Sequence, residues 1–84
     1  MSSLIWNESK HRPSLKEAQD FVDGYVEHLE LKDGVQMLIN DEGLYRDDLP
    51  VNDIATKILK ESGYRMVAPI KGKCIILSGS AVWT

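Results

Sequence analysis

The sequence predicts a small α+β domain: a single-layer, mainly antiparallel sheet of four to five strands, centred on a hairpin over residues 25–40, with two helices at about 15–23 and 53–62. Three observations predict it. A capping-box pattern, Ser14 to Glu17, opens an amphipathic stretch. An Asp33-Gly34 pair separates two runs with alternating apolar residues. A second amphipathic stretch begins after Asn52 and stops at Ser62-Gly63.

Taken in order, Ser3 to Trp6 is short, apolar and bounded by polar residues, and reads as a first strand; Asn7 to Pro13 reads as a charged loop. In the first helix, the Ser14 hydroxyl can accept from the amide three residues on while Glu17 reaches back. Leu15, Ala18, Phe21 and Val22 then share one helical face, and Asp23-Gly24 ends the helix, with glycine supplying the left-handed position. Tyr25 to Leu31 alternates as a strand, Tyr25, Glu27, Leu29 and Leu31 pointing one way and Val26, His28 and Glu30 the other. Lys32-Asp33-Gly34 is a tight turn. Val35 to Asn40 returns with Val35, Met37 and Ile39 on one face. Asn40-Asp41-Glu42-Gly43 is a second turn, Leu44-Tyr45 a brief extension of the sheet, and Arg46 to Pro50 a loop.

Asn52 is placed to cap the second helix, with Asp53 suiting the positive end of its dipole. Ile54, Ala55, Ile58 and Leu59 form its buried stripe. Tyr64 to Ala68 reads as a strand that Pro69 ends. Lys71-Gly72-Lys73 turns the chain, Cys74 to Leu77 is a strongly apolar strand, and Ala81 to Thr84 adds a last short strand or a tail. An element order of β-α-β-β-α-β-β leads to an expectation of both helices on one face of the sheet.

At 84 residues the chain makes one domain, 1–84, which buries about 60–65% of its unfolded surface. Stability on the order of 5 kcal/mol follows, unless copies associate. The 43% hydrophobic residues, spread in periodic runs, argue against disorder. A single cysteine, Cys74, allows no internal disulfide and no cysteine-based metal site. The N-terminus lacks the basic and apolar regions of a signal peptide, and no apolar run reaches the ~18 residues of a membrane span. These features fit a cytoplasmic protein.

The net charge of −3 is unevenly placed. Residues 1–56 carry twelve Asp or Glu against five Lys or Arg, a net of −7, and residues 57–84 carry five basic residues against Glu61, a net of +4. Either these are solvated faces, or the surface is bipolar and suited to head-to-tail self-association or to an anionic ligand at the basic end. An acidic chain disfavours nucleic-acid binding.

The stretch Leu15 to Leu31, then Asn40-Asp41-Glu42-Gly43, Leu49-Pro50-Val51-Asn52 and Ala55-Thr56, resembles the domain-of-unknown-function family 3846. Two mild departures stand out: Asp23-Gly24 replaces a usual double glycine, and Asp41-Glu42 replaces two glutamates. Members of that family are encoded largely by bacteriophages, plasmids and bacteria. The resemblance implies a phage or mobile-element origin and no reaction.

Several groups bear on chemistry. Asn40, Glu42 and Asn52 either form a turn and a helix cap or, with Tyr45, present polar groups to a ligand or partner. Arg65, Lys71 and Lys73 are ordinary surface cations or a loose cradle for phosphate; no glycine-rich phosphate loop is present. Asp41, Glu42, Asp47 and Asp48 lack calcium-loop spacing, so no metal site and no cofactor are expected. His28 reads as a half-exposed sheet residue. Cys74 reads as a small hydrophobe whose burial opposes activation, although a Cys74–His28 nucleophile pair is formally open. Trp6 and Trp83 complete the core or a self-association surface, with base stacking as the minor reading.

The expected function is that of a small non-catalytic accessory protein, acting in the host cytoplasm, that binds and blocks a host defence or regulatory protein. The alternative is an oligomeric, sponge-like nucleotide binder whose ligand sits between subunits. An enzyme is the third reading.

Overall fold

The computed structural model of the protein describes residues 4–64 and 69–83. Its sheet has four strands, β1 (Ile5–Glu8), β2 (Val26–Glu30), β3 (Gln36–Asn40) and β4 (Cys74–Leu77), in the spatial order β1-β4-β3-β2. Helix α1 (Leu15–Val22) connects β1 to β2, and α2 (Asp53–Glu61) lies between β3 and β4. The pairs β2–β3 and β3–β4 are antiparallel, and β1–β4 is parallel. A parallel neighbour needs a long connection, which the rest of the chain supplies.

The capping box forms as its residues dictate: Glu17 N–H donates to Ser14 Oγ (3.1 Å) and Ser14 N–H to Glu17 Oε1 (2.9 Å). The helix ends one residue earlier than expected. Asp23, not Gly24, adopts the left-handed conformation (φ 64°), a short polar side chain being one of the few tolerated there. The hairpin also forms, with Asp33 and Gly34 both at positive φ (60° and 73°) and Val35 N–H donating to Lys32 O (3.2 Å).

The helices lie on opposite faces of the sheet rather than sharing one. Ala18 and Val22 of α1 pack with Leu38, Ile75 and Leu77, joined by Trp6, Phe21, Val26 and Trp83. Ala55 and Leu59 of α2 pack with Met37, Ile39, Ile70 and Cys74, joined by Ile5, Leu29 and Ile58. The reason is the composition of the central strands: all five residues of β3 are buried, as are Cys74, Ile75 and Leu77 of β4. Both faces of these strands are apolar and need cover. Each fully buried Leu or Ile contributes about 1.5–3 kcal/mol.

Other expectations are corrected. The first strand is Ile5–Glu8 rather than 3–6; it sits at the sheet edge, where polar Asn7 and Glu8 are tolerated. Leu15, placed on the apolar face of the first helix, and Ile54, placed in the buried stripe of the second, are 57% and 60% exposed, because each lies on the outer flank of a helix that covers one sheet face. Leu44-Tyr45 does not extend the sheet; residues 43–45 make a 3-10 turn, as do Gly79–Ala81 in the C-terminal tail. Of the strand expected over 64–68, residues 65–68 lie outside the described residues, and Tyr64 donates its hydroxyl to Glu30 O (2.8 Å).

The tail from Ser78 to Trp83 returns over the α1 side. Gln36, 4% exposed, holds it as a backbone partner would: Trp83 N–H donates to Gln36 Oε1 (2.6 Å) and Gln36 Nε2 to Trp83 O (2.7 Å). Trp83 Nε1 donates to Pro13 O (3.0 Å), and Trp6 meets Phe21 edge-on with centroids 5.3 Å apart. Both tryptophans thus complete the α1-side core.

Candidate functional site

Of the polar residues singled out by sequence, Asn40 and Glu42 sit where α1 ends, β2 begins and β3 finishes. Asn40, the last residue of β3, is 3% exposed. Its Nδ2 donates to Val22 O (3.0 Å) and Asp23 O (3.1 Å), and its Oδ1 accepts from Glu42 N–H (2.8 Å). One side chain therefore plugs the carbonyl end of α1 and sets the next turn, groups that a helix leaves unpaired at its terminus. Asp41 N–H donates to Tyr25 O (2.8 Å), which ties that turn to the start of β2.

Glu42 stands exposed at the head of the turn, and its carbonyl accepts from Tyr45 N–H (2.9 Å). Gly43 is buried because its α-carbon faces the Lys71 backbone; an added methyl would lie 3.4 Å from Lys71 O. Lys71 Nζ reaches Arg46 O (3.4 Å). Asn40, Glu42, Tyr45 and Lys71 therefore belong to one neighbourhood. Arg65 lies outside the described residues.

Asn52 is wholly buried. Its Oδ1 accepts from Ala55 N–H (3.0 Å), which caps α2, and its Nδ2 donates to Leu4 O (3.1 Å) and Gly72 O (2.9 Å). Its backbone N–H donates to Ile70 O (2.7 Å), beside an antiparallel bridge between Val51 and Lys71. One amide thus joins the N-terminal edge, α2 and the approach to β4. The side-chain groups of Asn40 and Asn52 are engaged with backbone, as the turn-and-cap reading describes. No buried side-chain nitrogen or oxygen lacks a hydrogen bond among the described residues.

Arg46 carries no motif in the sequence, yet it is the most connected side chain of this turn. Its guanidinium donates to Asp23 O (2.7 Å) and Asp23 Oδ2 (3.1 Å), and to Asp48 Oδ1 (3.0 Å) and Oδ2 (2.6 Å). The bonds to Asp48 and then Asp23 raise the guanidinium pKa, and the same bonds hold the Asp48 carboxyl below its ordinary value. The cation also caps the negative end of α1. Tyr25 and Tyr45, which lie close in the chain to Asp23 and Arg46, are 69% and 83% exposed.

Lys73 forms no carboxylate pair among the described residues; its ammonium sits 5.1 Å from the centroid of Phe21. The two border a cleft of about 420 Å³ between the end of α1, Leu4, the Leu49-Pro50 segment and Gly72. The cleft gave no sequence signal, because its walls are far apart in the chain.

His28 and Cys74 do not meet. The strand register places His28 on the face of Leu38 and Ile75, whereas Cys74 packs with Met37 and Ala55 on the other face. His28 Nε2 lies 3.1 Å from Glu30 Oε1. Burial pushes the Cys74 thiol pKa up to about 12. Among the described residues, no three His, Cys, Asp or Glu side chains are grouped to hold a metal, and no helix is long and apolar enough to cross a membrane.

A family model for a domain of unknown function, family 3846, matches residues 4–81, which extends the likeness through the C-terminal strand. No curated protein and no solved structure matches the chain.

Proposed function

The chain belongs to the domain-of-unknown-function family 3846, and from that premise and the surface geometry we propose a non-catalytic binding protein that docks on, and blocks, a host protein. In this reading it is a phage or mobile-element accessory factor acting in the host cytoplasm against a defence or regulatory protein. The observation that carries it is a pair of tyrosines close in the chain to the residues of the Arg46 clasp, 69% and 83% exposed on a backbone held by hydrogen bonds. Tyrosine and arginine are the residue types enriched at binding hot spots, since they offer a large apolar area with a polar tip. A rigid base lowers the entropy lost on docking. The non-catalytic part is supported by the separation of His28 and Cys74 on opposite faces of the sheet.

The test is affinity capture from a bacterial host lysate with the wild type and a Tyr25→Ala/Tyr45→Ala variant in parallel. Both side chains are exposed, so the variant is expected to fold. The expected result is a specific protein captured by the wild type, lost with the variant and inhibited when reconstituted. Capture indifferent to the two rings overturns the proposal.

A further inference from the structure

The cleft beside α1 combines three chemistries that no single structural role requires together. Leu4, Leu49 and Pro50 give an apolar wall. Lys73 supplies a cation held by an aromatic face rather than by a carboxylate. Asp20 and Asp23 reach the same cleft from the last turn of α1. Each of these carboxylates uses one oxygen on a cation, Asp20 on Lys16 (3.2 Å) and Asp23 on Arg46 (3.1 Å). Lone pairs remain to accept from hydroxyl groups.

A helix C-terminus repels anions, but here its carbonyls are already engaged. Asn40 Nδ2 donates to Val22 O and Asp23 O, Arg46 donates to Asp23 O, and Gly24 N–H donates to Gln19 O (3.1 Å). The last carbonyls of α1 therefore already have donors of their own. The volume, about 420 Å³, lies within the range of sites that enclose small ligands.

From this juxtaposition we infer that the cleft is a site for a ribonucleoside monophosphate, with the phosphate on Lys73, the ribose hydroxyls on Asp20 and Asp23, and the base against Leu4, Leu49 and Pro50. Such a ligand meets the cation, the acceptors and the apolar wall at once; inorganic phosphate meets one of them and a nucleoside two. The site lies within one copy of the chain. It does not depend on the docking reading, because neither tyrosine ring is required.

The experiment is amide-resolved NMR titration of the full chain with AMP, adenosine and inorganic phosphate, each to about 10 mM, which reveals affinities down to the millimolar range. AMP is expected to shift the amides of Phe21, Leu49, Gly72 and Lys73, and to bind more tightly than either fragment. Lys73→Met keeps the apolar stem, and is expected to weaken AMP about tenfold with adenosine unchanged, the loss of one charge-assisted contact. Asp20→Asn is expected to weaken AMP and adenosine alike and leave phosphate unchanged. Tyr25→Ala/Tyr45→Ala is expected to bind AMP as the wild type does, so this site and the docking surface fail separately. The inference is overturned by no shift at 10 mM, by shifts centred elsewhere, or by equal AMP affinity in folded Lys73→Met.

Discussion

Replacing Asn52 separates two physical accounts of one residue. If it only caps α2, aspartate serves equally well, since Asn and Asp rank together at that position. In the structure the Asn52 Oδ1 caps the helix, but its Nδ2 donates to two carbonyls, Leu4 O and Gly72 O, at a wholly buried position. Asn52→Ala removes three hydrogen bonds of about 1 kcal/mol each, a loss of about 3 kcal/mol. The global stability of so small a domain is about 5 kcal/mol. Asn52→Asp keeps the cap, yet turns a carboxylate oxygen towards two carbonyl oxygens. At neutral pH it is expected to cost at least as much as alanine. Urea unfolding followed by Trp fluorescence reads both, and a slope of about 1 kcal/mol per molar makes the midpoint shift about 3 M. Acid adds a sign test. Protonation of the introduced carboxyl restores one donor, so its folded pKa is raised. Its contribution is then present at low pH and lost as pH rises through the folded value. An Asn52→Asp midpoint within 0.5 M of wild type would refute the three-way junction.

Further outcomes follow from the same geometry. The Glu8 carboxylate accepts from the amides of Lys10, His11 and Ser9, and Glu17 accepts from Ser14, so both pKa values are lowered. Such groups stabilise above their unfolded values and lose that contribution as pH falls through the folded ones. Thermal melts of Glu17→Gln between about pH 5 and pH 2 should show a shallower acid loss than wild type. Cys74 should resist a thiol reagent at pH 8 in the folded protein and react on unfolding, because burial holds its pKa near 12. Gly24→Ala places a methyl 2.7 Å from Asn40 Nδ2, displacing the amide that plugs α1. Its midpoint should fall and the Val22 and Asp23 region should exchange hydrogen faster. Gln36→Leu removes both bonds to Trp83, so Trp83 amide exchange should rise well ahead of exchange in β3.

The elements that were legible in the sequence are those written in local chemistry. Ser14 and Glu17 stand three residues apart and need only each other. Asp33-Gly34 needs only its own backbone, and the cap at Asn52 only the next turn. The placement of those elements was not local. Whether α1 and α2 share a face depends on β3 and β4 being apolar on both sides, and the run Cys74-Ile75-Ile76-Leu77 carried that information without saying what would cover it. The parallel pairing of β1 with β4 joins residues about seventy positions apart. The site was legible only in part: Asn40 and Asn52 were recognisable as polar turn residues, but their partners Val22, Leu4 and Gly72 are remote in sequence. Nothing around Arg46 distinguished a clasp from a solvated loop, and the Phe21–Lys73 cleft exists only after folding.

Covering the sheet from both sides divides the interior into two compartments insulated by a single layer of backbone. Ala18 and Ala55 answer to different sets of neighbours. Overpacking one compartment, by Ala18→Val, should therefore add to the cost of Ala55→Val within about 0.5 kcal/mol rather than amplify it. A chain built this way can repack one half of its interior while the other stays as it is.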